Sequence, residues 1–421
     1  MTRRTPVRVA AGVWLAALLL LAGLVGMELS APPLPALGAG PAAADADTLA
    51  RGAALARAGN CLACHTARGG EPYAGGRTIR TPFGTLVAGN LTPDAATGLG
   101  AWSPEAFRRA LHEGISRDGR LLYPAFPYEH TTRLQDADVD ALYAYLRSQP
   151  AVHRVNDAHA LHFPYNTQAA LALWRLLNFE PGRHADDPAR SAEWNRGAYL
   201  VQGAGHCAAC HSPRNAWGGS GLALSGGLMP DGRWYAPSLL DPAEAGVQDW
   251  TPDRVLALLR DGRVEGATTM GPMAEVVFHG SSHLADADLR AVATYLRGLP
   301  VQAARQPDFE PAEPALLRLG AQVYEQHCVD CHGPQGQGAE EAYLPLAANR
   351  AVLTASPVNA IQAILSGGFS PATAGNPQPY GMPPFRTLLS DTEVAAVASF
   401  IRQSWGNRAA AVSPLDVQQV R

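Results

Sequence analysis

Cys61-Leu62-Ala63-Cys64-His65, Cys207-Ala208-Ala209-Cys210-His211 and Cys328-Val329-Asp330-Cys331-His332 repeat one pattern three times and use all six cysteines of the 421-residue chain. Cys-x-x-Cys-His is the attachment signature of c-type haem. Two thiols at this spacing can add across the vinyl groups of one porphyrin, and the adjacent histidine is held beneath the ring as proximal iron ligand. Half of a zinc site or a dithiol redox pair would account for one isolated Cys-x-x-Cys. Three copies argue against both: a zinc site would be left with half its ligands, and a disulfide framework does not require histidine after every second cysteine. The pattern predicts three covalently bound haem c groups, attached through Cys61 and Cys64, Cys207 and Cys210, and Cys328 and Cys331. His65, His211 and His332 take the proximal iron positions, and electron transfer is the expected work.

Working outward, each motif follows a short helical pattern containing glycine: Arg51-Gly52, then Arg196-Gly197 and Leu319-Gly320. Each is followed by a closing amphipathic helix with acidic residues in its first turn and arginine in its last, as the helix dipole favours. These closing helices run from Asp136 to Arg147, Asp286 to Arg297 and Asp391 to Arg402, carrying Tyr145, Tyr295 and Phe400 as core aromatics. Repetition on this scale sets the architecture. The expected fold is all-α: three tandem cytochrome c-type haem domains, in each of which the first and last helices cross at a glycine beside the porphyrin, behind an N-terminal membrane anchor or signal. The boundaries fall at 1–30 for the anchor or signal, 31–46 for a flexible tether and 47–150 for the first domain. Residues 151–190 form a partly helical connection packed between the first two domains, and 191–300 the second domain. A linker at 301–313, the third domain at 314–407 and a tail at 408–421 complete the chain. Domains of roughly a hundred residues have small cores, and haem supplies missing apolar surface.

Arg3, Arg4 and Arg8 precede an uncharged run from Val9 to Met27. Such a run forms a helix of about 28 Å, close to the hydrocarbon thickness of a bilayer, which favours a retained anchor over a cleaved signal. Ala42-Ala43-Ala44 offers a cleavage site for the other outcome. Either outcome exports the rest of the chain to the periplasmic side of a bacterial inner membrane, where c-type haem is attached. The net charge is −4 and every basic residue is arginine. Nothing resembles a basic nucleic-acid-binding surface, so nucleic acid is not expected as a partner.

A second axial ligand completes an electron-transfer haem, methionine raising its potential and histidine lowering it. Met382, in Tyr380-Gly381-Met382-Pro383-Pro384, is the expected ligand of the third haem, its prolines stiffening the loop. Met273, in Met270-Gly271-Pro272-Met273, is expected for the second, with Met270 and His279 as competitors. The first segment has no methionine between Asp45 and Arg190; Phe126 stands in the corresponding loop. His130 is the candidate there, against a five-coordinate iron or a more remote histidine.

The stretches around Cys207 to Asn215, Gly271 to Val277 and Asn376 to Phe385 resemble the membrane-bound three-haem cytochrome c subunits of bacterial periplasmic dehydrogenases. The resemblance spans nearly the whole exported chain. It implies a subunit that takes electrons from a dehydrogenase catalytic subunit and passes them to ubiquinone in the membrane. Phe126 in Pro124-Ala125-Phe126-Pro127-Tyr128, with Ser191 to Leu200, is more similar to members that partner molybdenum hydroxylases, whose molybdopterin and iron-sulfur centres sit on other chains and oxidise aldehydes or heterocycles. The alternatives are the cytochrome subunit of a flavin or quinoprotein alcohol or sugar dehydrogenase, a free-standing carrier to a terminal oxidase, and a haem peroxidase using an open first haem. Substrate chemistry is not expected on this chain.

Overall fold

The computed structural model describes residues 5–37, 44–302, 309–339 and 342–421, with side chains described from Trp14 onward. Two compact units emerge: Met1–Ala53 with His65–His184, and Ala54–Cys64 with Ala185–Arg421. The dividing line passes through the first Cys-x-x-Cys-His motif, whose cysteines belong to the second unit and whose histidine belongs to the first.

The fold is mostly helical, with a departure from the all-α expectation. Thr78–Thr81, Gly84–Val87 and Ala160–Leu161 form a three-stranded antiparallel sheet in the first unit. Three two-residue strand pairs lie in the second. These strands are too short to bury a face of their own. They pair loop segments with one another, which residue periodicity in so few positions does not reveal.

Three helix crossings order the core. Helix Ala46–Ala58 meets Asp136–Arg147 at Gly52, Ala192–Tyr199 meets Asp286–Arg297 at Gly197, and Pro314–His327 meets Asp391–Gln403 at Gly320. A Cβ at these glycines would overlap the carbonyl oxygens of Ala141, Ala291 and Ala396, and would lie 2.7 Å from the Cβ of Tyr145, Tyr295 and Phe400 respectively. Only glycine permits so close a backbone approach. Arg51 pairs with Asp138 and Arg196 with Asp288 at 2.8 Å, linking the residue before each of the first two glycines to the opposite helix. The arginines ending the closing helices cap backbone carbonyls: Arg147 donates to Leu99 O at 3.0 Å, Arg297 to Trp250 O at 2.5 Å and the fully buried Arg402 to Val352 O at 2.6 Å.

Ser103-Pro104 and Thr251-Pro252 start helices Pro104–Glu113 and Pro252–Asp261 by the same chemistry. The hydroxyl accepts from the backbone N–H of Ala106 or Arg254, and proline, having no N–H, occupies the first helical turn. Ser390 and Glu393 form a reciprocal capping box at the last closing helix.

The segment before the first motif packs differently from the expectation, while the connection at 151–190 is partly helical as expected. Residues 31–37 are not a free tether: Leu34 N–H donates to Arg117 O at 2.8 Å, Leu37 N–H to Ala101 O at 3.0 Å, and Arg109 to Pro32 O at 2.7 Å. Residues 38–43 of that stretch, and 303–308 of the expected 301–313 linker, lie outside the described residues. The connection at 151–190 contains helix Gln168–Asn178, which buries Leu171 and Ala172 with Ile115 and Leu121 inside the first unit. Its Arg175, 6% exposed, pairs with Glu28 at 2.6 Å and stacks over Phe179. Glu28 ends helix Thr5–Glu28. The expected anchor rests partly on residues 1–13, whose side chains lie outside the described residues. Among the described residues no helix is long and apolar enough to cross a membrane.

His112 makes the first unit sensitive to acid. It is 3% exposed, and Arg183 donates to its Nδ1. Burial, reinforced by the Arg183 charge, pushes the imidazole down from 6.5 to about 4, while Asp136 at 3.7 Å pulls the other way. Between those values the unfolded chain carries a proton that the folded one excludes. This contribution is therefore fully present above pH 6.5 and is lost as pH falls toward 4, by at most about 3 kcal/mol. Hydrogen exchange in Pro104–Glu113, corrected for intrinsic rates, should accelerate from pH 7 to pH 5 in the native protein. The His112→Gln variant should show a flatter profile, and an equal slope in both would remove His112 as the cause.

Candidate haem-attachment sites

The Cys-x-x-Cys-His segments begin as short helical turns, Cys61–Cys64, Ala208–His211 and Val329–His332. One helical turn brings the two thiols to one side and projects the histidine from the next position. None of the six cysteines is paired in a disulfide. Burial, with the neighbouring cysteine of the same motif as a smaller cause, pushes the thiols of Cys61 and Cys207 up to about 12 and that of Cys328 to about 11. A neutral thioether avoids that penalty, so the surroundings suit a sulfur that carries no charge.

The histidines show which nitrogen is available. His65 Nδ1–H donates to Gly89 O at 2.7 Å, and His211 Nδ1–H donates to Pro237 O at 2.7 Å. A carbonyl only accepts, so the proton sits on Nδ1 and the Nε2 lone pair is left for iron. His65, His211 and His332 are all held below the usual histidine range by burial, opposed by a backbone carbonyl of Gly89, Pro237 and Leu344 respectively. Neutral imidazole is the ligating form. These residues fit haem c, and the zinc alternative finds no group of three or more candidate ligands among the described residues.

A second device recurs that the sequence reading missed. The backbone carbonyl of each motif histidine accepts from a glycine N–H: Gly75 at 2.7 Å, Gly226 at 2.8 Å and Gly338 at 2.9 Å. All three glycines have left-handed backbones, φ 78°, 81° and 72°. The separation between histidine and glycine differs in each copy, so no fixed spacing advertises the pattern. The glycines themselves were the available signal.

Met382 lies on strand Gly381–Met382, paired with Gly368–Phe369, and packs against the same core as Cys328, with Phe385, Ile364 and Leu365 buried there. Met273 sits instead in the first turn of helix Pro272–His279, entered through Gly271, which lies against Trp234. The two loops that look alike in sequence thus differ: proline opens a helix after Gly271 but extends the chain after Met382. Met270, the competitor, reaches toward Gly368, its Cε 3.8 Å from where a Cβ there would stand.

His130 lies in the turn Tyr128–Thr131 and is 1% exposed. His65, His211, His332, Met273 and Met382 all keep a partly open face. A porphyrin beside His130 therefore requires this turn to shift. Other histidines of the first unit are poorly set for coordination: Val87 N–H donates to His159 Nδ1 at 3.1 Å and Arg183 to His112 Nδ1, so both rings carry their proton on Nε2.

Comparison with known proteins agrees with this chemistry. The family profile described as "Cytochrome c" matches residues 49–150 and 317–405, and "Cytochrome C oxidase, cbb3-type, subunit III" matches 192–296. The chain is 38% identical over 399 residues to the cytochrome c subunit of alcohol dehydrogenase (quinone) from Gluconobacter oxydans, covering 90% of this chain and 83% of that one. This chain belongs to the cytochrome c subunits of dehydrogenase complexes. Another member, the gluconate 2-dehydrogenase cytochrome c subunit of Pantoea cypripedii, is 38% identical, with 88% of this chain and 89% of the relative covered. A nicotinate dehydrogenase subunit of Pseudomonas putida is 41% identical over 93% of this chain, which spans 33% of that longer protein. As a cytochrome c subunit, the chain is an electron-transfer component of a dehydrogenase complex and binds haem c covalently.

Proposed function

We propose that this subunit carries three haem c groups and moves electrons from a periplasmic catalytic subunit to ubiquinone. The observation that carries the count is the threefold recurrence of one arrangement: a Cys-x-x-Cys-His turn, a left-handed glycine bonded to the histidine carbonyl, and a helix crossing without a Cβ. Each copy lies within one matched cytochrome segment. Bound haem supplies a one-electron iron couple. The chain's residues hold the porphyrin edge through cysteine, fix the proximal imidazole through the Gly89 and Pro237 carbonyls, and exclude water with the packed helices.

For the distal side we propose Met382 in the third segment and Met273 in the second, the packing of Met382 against the same core as Cys328 and the position of Met270 beside Gly368 supporting these choices. The first group takes no methionine as axial ligand from its own segment, because no methionine lies between Asp45 and Arg190. His130 is the proposed ligand, reached by a shift of its turn. The catalytic partner in this reading is a molybdopterin hydroxylase acting on an aldehyde or heterocycle. The likeness to the nicotinate dehydrogenase relative and the Phe126 loop support that choice. The uncharged run from Val9 to Met27, part of which has side chains outside the described residues, is the proposed N-terminal anchor, with the rest of the chain on the periplasmic side.

Pyridine haemochrome analysis of the protein purified with its native partner should give three haems per chain, and reduction of added ubiquinone should follow substrate oxidation. Redox titration should find the first group at the lowest potential, without a methionine-to-iron charge-transfer band. His130→Ala should then make that group high-spin and able to bind carbon monoxide when reduced. A count of two, or a purified complex that oxidises its substrate without reducing quinone, would overturn the corresponding part. A low-spin first group unchanged in His130→Ala would remove only that ligand assignment.

A further inference from the structure

Two of the three attachment segments touch. Segment Ala54–Cys64, which carries Cys61 and Cys64, belongs to the same compact unit as the second motif. Immediately before the first cysteine of each motif, the two backbones meet: His206 Nε2–H donates to Gly59 O at 3.1 Å, and a Cβ at Gly59 would stand 3.3 Å from Ala204 O. The same segment also lies against the end of helix Pro272–His279, where a Cβ at Gly280 would come within 2.8 Å of Arg57 O. The Met273 helix and the second motif thus both contact the first attachment segment.

The backbone at the contact is strained on both sides. Asn60, directly before Cys61, has φ 47°, and His206, directly before Cys207, has φ 36°. Left-handed backbone is unfavourable for side chains other than glycine, and it persists where surrounding contacts enforce it. The corresponding residue of the third motif, His327, ends a regular helix and has no such conformation. The distortion is confined to the pair of motifs that face each other.

Thioether bonds attach at the rim of a porphyrin, so segments that meet beside their cysteines would bring two porphyrin rims toward one contact. Resting on the three-haem reading, we propose that Ala54–Cys64 and residues 203–210 form the direct electron-exchange contact between the first and second haem groups, with His206 as its positioning residue. One electron leaves a ferrous centre and enters a ferric one; no bond forms or breaks and no proton moves. The hydrogen bond to Gly59 O joins the two segments and would thereby hold the separation of the groups they carry.

The test uses the full-length holoprotein, with its haem count checked independently by pyridine haemochrome, so that a failed count strikes the three-haem reading and not this contact. Electron paramagnetic resonance should show magnetic coupling in the oxidised protein. The microwave power needed to half-saturate the first centre should fall severalfold when the potential is set to reduce the second to its diamagnetic state. Independent saturation of the two centres at every potential would overturn the proposal. After laser photoreduction, electron redistribution between them should slow severalfold in His206→Ala and recover in His206→Gln, whose amide can donate to the Gly59 carbonyl. An unchanged rate in His206→Ala with all haems present would overturn the role of His206. Should that variant fail to accumulate, the wild-type saturation measurement still decides the contact.

Discussion

Replacing Cys207 and Cys210 together by alanine is expected to lower covalent haem by one per chain, from three to two on the proposed count, and to unfold the segment around helices Ala192–Tyr199 and Asp286–Arg297. Cys207 packs against a core containing Ala198, Val201, Trp250, Val255 and Tyr295. A domain of roughly a hundred residues has little apolar area to spare, and loss of the porphyrin opens one side of this core. The effect reaches the first attachment segment, because Gly59 and Arg57 lean on Ala204, His206 and Gly280 within the same compact unit. Haem staining after denaturing electrophoresis, haemochrome stoichiometry and limited proteolysis measure the outcome. A haem count of three in this variant would refute attachment through this pair.

Gly197→Ala is expected to destabilise the same region by about 3 kcal/mol or more, at the upper end of ordinary overpacking. Alanine at a helical glycine normally stabilises, since it restricts the unfolded chain. Here the sign reverses. The new methyl would overlap the Ala291 carbonyl oxygen and approach the Tyr295 Cβ, and neither backbone group can rotate away. The helices must separate, which also loosens the Arg196 pair with Asp288. Gly221→Ala, where nothing lies within 4 Å of the added methyl, serves as the control and should be nearly neutral. Comparable denaturation midpoints for the two variants would show that the crossing is not tightly packed.

The three crossing glycines were legible in the sequence because each stands in a short helical pattern ahead of a motif and is followed by a closing helix with a regular charge arrangement. Asp136, Asp286 and Asp391 at helix starts, with Arg147, Arg297 and Arg402 near helix ends, obey the local rule of the helix dipole. What these arginines do at the ends was not legible. Each caps a carbonyl from another part of its domain, and nothing in the local pattern specifies Leu99, Trp250 or Val352 as acceptor.

The similar flanks of Met273 and Met382 illustrate the same division. Gly-Pro before one and Pro-Pro after the other both stiffen the chain, but stiffness does not choose between helix and strand. The contact of Gly271 with Trp234 and the pairing of Gly368 with Met382 make that choice. Likewise, the Pro/Ala-rich stretch at 31–37 has the composition of a tether, while the carbonyls of Ala101 and Arg117 offer it partners.

By itself, the sequence determined the covalent chemistry, the number of attachment motifs, the helices that cross and the lack of any methionine between Asp45 and Arg190. All of these depend on residue identity or on neighbours within a few turns. Tertiary structure alone decided which carbonyls orient His65 and His211, which glycines close around the motif histidines, where helix Gln168–Asn178 packs and that the first attachment segment meets the second. Those outcomes come from contacts between residues far apart in the chain, where steric fit and hydrogen-bond satisfaction select one partner among many that local sequence leaves equivalent.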